Sequence, residues 1–248
     1  QTTFTCSETG ANNVTLTVTD ASGNTSTCVA VVTVQDTIAP NAICQNVMLV
    51  QLDATGNASI IPAQLNGGST DNCGTVIFTA SDTAFDCSEL GVNNITLYVT
   101  DASGNVDSCI SQVTVQDNIA PIVLCKDTTV YLDATGNVSI DSSYVDNGST
   151  DNCTTMTMSV SPSTFNCLST GGNIVTLTVT DGSGNTSNCV SKVTVLDTIA
   201  PVAVCQNMTA YLNSSGFTTI MASDIDGGST DNCTGFTISA SQTTFTCA

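Results

Sequence analysis

The sequence predicts an all-β chain of tandem β-sandwich repeats, with a period of about 80 residues, forming an extended rod. Three observations carry this expectation. Motifs return at fixed spacing, apolar residues alternate with a period of two, and turn-forming clusters interrupt every apolar run.

The repeat is the organising feature. Asp36-Thr-Ile-Ala-Pro40 returns as Asp117-Asn-Ile-Ala-Pro121 and Asp197-Thr-Ile-Ala-Pro201, at periods of 81 and 80 residues. Ser69-Thr-Asp-Asn-Cys73 recurs at 149–153 and 229–233, and Asp20-Ala-Ser-Gly-Asn24 recurs at 101–105 and, with Gly for Ala, at 181–185. The opening hexapeptide, Gln1 to Cys6, returns at 242–247. The chain therefore reads as the back part of one repeat (1–35), two complete repeats (36–116 and 117–196) and the front part of a fourth (197–248). Gln1 falls in mid-pattern, so a targeting signal is expected upstream.

Within each repeat the strands are readable. Val14, Leu16 and Val18 alternate with threonines, as do Ile95, Leu97 and Val99, and Val175, Leu177 and Val179; a strand with one buried face requires this. The following run places Cys109, Ser111, Val113 and Val115 on one face. Between the two runs, Asp-x-Ser-Gly-Asn reads as a hairpin turn, since Gly and Asn tolerate positive φ. Val50 and Leu52, Ile60, and the run from Val76 to Ala80 give further short strands, and no stretch carries a helical period. Five to seven short strands in each repeat of about 80 residues is sandwich patterning.

Composition narrows the function. Only Lys126 and Lys192 oppose 21 acidic residues, for a net charge of −19, with no His and no Trp. Such a surface repels phosphate backbones and anionic lipid, which argues against nucleic-acid binding and membrane docking. Apolar residues reach 41%, enough for a core, but the apolar runs are far too short to span a bilayer. The 13 cysteines are at least 14 residues apart and have no His beside them, so disulfides in an oxidising compartment are expected in place of zinc.

Four cysteines per repeat leave three intra-repeat connectivities open. The leading fragment favours Cys6–Cys28, Cys87–Cys109 and Cys167–Cys189, each spanning 22 residues, with Cys44–Cys73, Cys125–Cys153 and Cys205–Cys233 as the second set. Loops of this size are worth about 3 kcal/mol per bridge. A bridge between repeats, such as Cys109–Cys125, is the alternative, and Cys247 is expected to pair beyond Ala248.

Strand parity predicts where the acids gather. If a repeat's first strand descends from its linker, the second returns to the top, and the last hairpin turn lies there too. Asp36, Asp71, Asp101 and Asn105 thus converge at one end of one repeat, as do Asp117, Asp151, Asp181 and Asn185 in the next. Asp20 with Asn24, and Asp197 with Asp231, are parts of equivalent sites. Converging carboxylates repel unless a cation neutralises them, and an all-oxygen donor set suits Ca²⁺ better than zinc or copper. The competing reading is that these aspartates only close Asx-turns.

The run from Thr96 to Asp117, with Ser-Thr-Asp-Asn-Cys, resembles the hyalin repeat (HYR) family, whose modules are immunoglobulin-like and extracellular. Asp36 to Asn46 and Leu52 to Asn57 more closely resemble the repeats of flavobacterial surface adhesins of the SprB-like, gliding-motility type. That resemblance implies type IX secretion and display at the cell surface. It also implies O-glycosylation at Asp-Thr-Ile-like sites, with Thr37, Thr83, Thr128 and Thr198 as candidates. Asn213 and Phe217 depart from the Asp-Ala-Thr-Gly-Asn turn seen at Asp53 and Asp133, so that turn is left out of the metal set.

No catalytic residues are expected, because acidic clusters copied at every joint do not look like an active site. The expected function is a structural or adhesive segment of a bacterial cell-surface fibre, stiffened by disulfides and Ca²⁺, with neighbouring repeats as partners. The alternatives are a self-assembling filament or sheath subunit associating with identical chains, or repeats that grip surface polysaccharide directly, for instance through Thr15, Thr17 and Thr19.

Overall fold

A computed structural model describes residues 2–247. The chain divides into two compact units, Gln1–Ile119 and Ala120–Ala248. Among the described residues it is all-β, and helical structure is confined to short 3-10 turns. No helix there is long and apolar enough to cross a membrane.

The first unit opens with a hairpin, β1 (Gly10–Thr19) against β2 (Thr25–Val34), closed by the Asp20 turn. Six strands follow: β3 (Val47–Gln51), β4 (Asn57–Ser59), β5 (Ile77–Ala80), β6 (Ala84–Asp86), β7 (Gly91–Thr100) and β8 (Val106–Gln116). They form a four-stranded sheet in the order β3-β8-β7-β5 and a separate β4-β6 pair. The pairing of β3 with β8 is parallel and the others are antiparallel. A parallel pair needs a crossover; here the rest of the repeat supplies it.

The second unit repeats the pattern with β9 (Thr128–Tyr131), β10 (Asn137–Ser139), β11 (Met156–Ser161), β12 (Thr164–Asn166), β13 (Gly171–Asp181) and β14 (Thr186–Leu196). Its sheets are β11-β13-β14-β9 and β10-β12. A last short pair, β15 (Phe217–Thr219) with β16 (Thr244–Thr246), ends the described chain.

The period-two pattern becomes a two-layer core. Val175, Leu177 and Val179 of β13 and Val193 and Val195 of β14 are fully buried, against Phe165 of β12 and Ile140 from the facing sheet. The first unit buries Leu97, Val99, Val113 and Val115 in the same way. Ser111 and Ser191 also point inward, and each hydroxyl donates to a backbone carbonyl, of Gln45 (2.7 Å) and Lys126 (2.6 Å) respectively. A buried hydroxyl needs such a partner.

The disulfide pairing departs from the expectation throughout. Cys44 bonds Cys109, Cys125 bonds Cys189, Cys6 bonds Cys73, and Cys167 bonds Cys233. Cys87 and Cys153 are disulfide-bonded as well, whereas Cys28, Cys205 and Cys247 are free and exposed. None of the six expected pairings occurs: with their partners engaged or free, Cys6–Cys28, Cys87–Cys109, Cys167–Cys189, Cys44–Cys73, Cys125–Cys153 and Cys205–Cys233 are all excluded.

Register gives the physical reason. In the leading hairpin Cys28 lies opposite Leu16, while Cys6 sits before Gly10. Six strand residues then separate the two levels, roughly 20 Å at the usual rise, and a disulfide tolerates a Cα separation of about 7 Å at most. Cys109 faces Leu97 and Cys189 faces Leu177, so Cys87 and Cys167 are excluded by the same distance. The parallel pair supplies the partner instead. Val47 lies level with Gln112, so Cys44, three residues before Val47, falls level with Cys109. In the second unit β9 and β14 reproduce this to within a residue.

Candidate metal centre

Three loops of the first unit bring Asp36, Asp71 and Asp101 together, with one carboxylate oxygen of each lying within 4.8 Å of the others. Asp36 comes from the linker that precedes the repeat, Asp71 from the loop ahead of β5, and Asp101 from the turn joining β7 to β8.

The Asp101 turn is tightly specified. Oδ1 accepts from the backbone N–H groups of Ser103 (2.9 Å) and Asn105 (2.8 Å), and Oδ2 accepts from the Asn105 side-chain amide (2.7 Å). Gly104, at φ +91°, takes the left-handed conformation the turn needs. Burial pushes the Asp101 carboxyl up, but hydrogen bonds from Asn105, Ser103 and Gly104 outweigh it and hold it below the usual aspartate value. The carboxylate is thus kept charged although only 4% exposed.

Asp36 and Asp71 each use one oxygen and leave the other without a partner. Asp36 Oδ1 accepts from the Ile38 N–H (3.1 Å), and Asp71 Oδ2 accepts from the Cys73 N–H (2.7 Å). Asp36 Oδ2 and Asp71 Oδ1 are buried and have no hydrogen-bond partner. Two orphaned anionic oxygens beside a third carboxylate are costly. At an effective dielectric near 20, like charges this close repel by on the order of 3 kcal/mol per pair.

Asn105 does not act as an oxygen donor to the cluster. Its amide nitrogen donates to the Asp36 carbonyl (3.1 Å), the Ile38 carbonyl (3.3 Å) and Asp101, so it ties the linker to the turn. Asn24 and Asn185 hold the Asp20 and Asp181 turns through the same amide-to-carboxylate bond. Sequence reasoning overlooked Asn72, whose amide reaches Asp36 Oδ1 (3.4 Å), and Asn232, whose amide reaches Asp197 Oδ1 (3.1 Å). Both sit in the recurring Ser-Thr-Asp-Asn-Cys motif, which was the available signal.

In the second unit Asp151 and Asp181 also offer ligand atoms within 4.8 Å of each other. Asp117 is buried near the end of the first unit, where Oδ1 accepts from the Ile119 N–H (3.1 Å). Asp231 keeps one buried oxygen without a partner, and Asp20 lies on an exposed hairpin turn. Of the threonines considered for glycans, Thr37 and Thr198 are exposed, while Thr83 and Thr128 are half-buried, Thr128 within β9.

The joints inside each unit are stapled. Cys6, ahead of the leading hairpin, bonds Cys73 of the following repeat, and Cys167 bonds Cys233 in the same way. Beside the second of these, Asn232 donates to the Asp133 carbonyl (3.3 Å). There Gly136, at φ +74°, approaches so closely that a Cβ would lie 2.6 Å from the Asn232 carbonyl oxygen and 2.6 Å from Cys167 Sγ.

No protein-family model matches the chain, and no curated protein sequence matches it. Among solved structures, it is similar to a three-domain titin fragment, I67–I69, at 11% identity and a TM-score of 0.38, covering 75% of each chain. It is also similar to the protocadherin GammaB4 extracellular domain (16% identity, TM-score 0.35, covering 84% of this chain and 41% of that one). Human mucin-like protocadherin EC1-2 is a third (13% identity, TM-score 0.32, covering 64% and 98%). Likenesses this distant assign neither a family nor a function.

Proposed function

We propose that this chain is a structural segment of an extracellular, cell-surface fibre of the HYR or SprB-like adhesin type. Its immunoglobulin-like repeats follow one another as a rod, disulfides staple them, and Ca²⁺ holds their junctions. The observation that carries this reading is the gathering of Asp36, Asp71 and Asp101, with two buried oxygens left unpartnered. Those oxygens fit a hard cation with oxygen ligands. A Ca²⁺ there would tie the linker to two loops of the repeat it precedes, so the joint would stiffen when the ion binds. Ten disulfide-bonded cysteines favour an oxidising compartment. A chain without His or Arg, with its acids copied at every joint, favours a structural role over catalysis.

The test is calorimetric titration of Ca²⁺ into the chelator-treated chain, together with thermal unfolding with and without the ion. Ca²⁺ is expected to raise Tm, and by mass action about 2.7 kcal/mol of stabilisation accompanies an ion concentration 100 times Kd. Asp71→Asn with Asp101→Asn should remove the first unit's share of the binding heat. Unchanged Tm and no heat at millimolar Ca²⁺ would overturn the calcium reading.

A further inference from the structure

The two complete repeats bury the inner face of their long hairpins, but the hairpin β1–β2 leaves its own in solvent. Leu16 is 57% and Val18 59% exposed, whereas their counterparts Leu97, Val99, Leu177 and Val179 are all 0%. The hairpin is otherwise the same object. Leu16 lies opposite Cys28 just as Leu97 lies opposite Cys109 and Leu177 opposite Cys189.

The second unit carries the complementary deficiency. Residues 208–211 correspond to β9 and residues 236–241 to β11, yet neither stretch forms a strand. Met208, Leu212 and Ile238 are exposed, and Phe245 is 37% exposed where its counterparts Phe85 and Phe165 are 2% and 5%. Met208, Ala210, Leu212, Ile220 and Phe245 line an open apolar groove of 420 Å³. In the complete repeat of that unit, β13 and β14 cover this place, with Val179 opposite Met158 and Val195 opposite Val130.

We propose that β1–β2 of one copy of this chain docks into the groove of a second copy and completes its sandwich. By register, β1 would lie along residues 236–241 with Val18 level with Ile238. β2 would run parallel to residues 208–211, with Val34 level with Ala210. A second, independent observation selects this occupant. Cys28 and Cys205 are both free and exposed, yet they stand at the positions of Cys109 and Cys44, and of Cys189 and Cys125, which are bonded to each other in both complete repeats. The hairpin therefore brings the thiol that the groove lacks. Oxidised glutathione would join them: the two thiols lose two protons and two electrons, and the oxidant leaves as two reduced glutathiones. Hairpin and groove are different surfaces, so the contact is heterologous and each docked copy still offers a free hairpin or a free groove. The chain would then assemble head to tail into open-ended series.

The test uses the full chain in light scattering coupled to size-exclusion chromatography, from low to high micromolar, in moderate salt with millimolar calcium chloride. The expected result is a mass that rises with concentration through whole multiples of the monomer. Leu16→Asp and Ile238→Asp each abolish it; both positions are exposed, so the monomer should keep its parent circular dichroism. Mixing the two variants should give dimers and nothing larger, because one intact hairpin and one intact groove remain. With oxidised glutathione, the parent should yield a Cys28–Cys205 peptide in species of dimer mass and above. A monomer at every concentration, multimers indifferent to both variants, or a Cys28–Cys205 link confined to monomers would each overturn the proposal.

Discussion

Replacing Cys125 and Cys189 together by alanine would open a loop of 64 residues in the second unit. In the chain-entropy account, closing a loop of that size stabilises the fold by about 4 kcal/mol. Both sulfurs pack against the core around Leu177, and losing them should remove roughly 1 kcal/mol of packing as well. The expected total, about 5 kcal/mol, rivals the whole stability of an ordinary domain. For a unit of this size it corresponds to a fall in Tm of roughly 15–30 °C. Differential scanning calorimetry of the full oxidised chain, with peptide mapping of its disulfides, reads both quantities. Cys28→Ser is the control: that thiol is free and exposed, so its loss should stay within about 0.5 kcal/mol. The reasoning fails if the double variant melts within a few degrees of the parent. It fails equally if mapping joins Cys125 to Cys153 and Cys189 to Cys167, because the parallel register of β9 and β14 would then be wrong.

Leu177→Ala, at a fully buried site of the second core, should cost about 2–5 kcal/mol in urea unfolding. Gly136→Ala places a Cβ at φ +74° and 2.6 Å from the Asn232 carbonyl. It should destabilise by at least about 1 kcal/mol, and amide exchange should quicken at 133–137 and around Asn232. Hydrogen bonds from Thr55 and Asn57 hold Asp53 below its ordinary value of 3.8, as Thr135 and Asn137 do for Asp133. A lowered folded pKa adds stability that is complete above the unfolded value and lost as pH falls through the folded one. Melting temperature should therefore drop below pH 3.8, and Asp53→Asn with Asp133→Asn should flatten that drop.

Much of the architecture could be read from periodicity. Alternation located the faces that carry Leu97, Leu177 and Val193, because burying one side of a strand leaves no other arrangement. Strand parity alone set Asp36, Asp71 and Asp101 at one end of the repeat, and the structure brings their carboxylates within 4.8 Å. The sulfur pairing could not be read this way. Spacing along the chain says nothing about which strands are neighbours, and Cys44 meets Cys109 only because the first and last strands of the repeat run side by side in parallel. The direction of the Asn105 amide was equally hidden, since it depends on the carbonyls of Asp36 and Ile38 arriving from the linker.

The bridges Cys6–Cys73 and Cys44–Cys109 interlock: each begins or ends inside the loop that the other closes. Pulled from its ends, the stretch between Cys6 and Cys109 has a covalent path that crosses the first bridge and then follows only the 36 residues from Cys73 to Cys109. Even with every strand torn out, that path spans roughly 120–130 Å, near a third of what the uncrossed backbone would reach. Force meets covalent bonds long before the chain is drawn out, and the slack is returned when the load is removed.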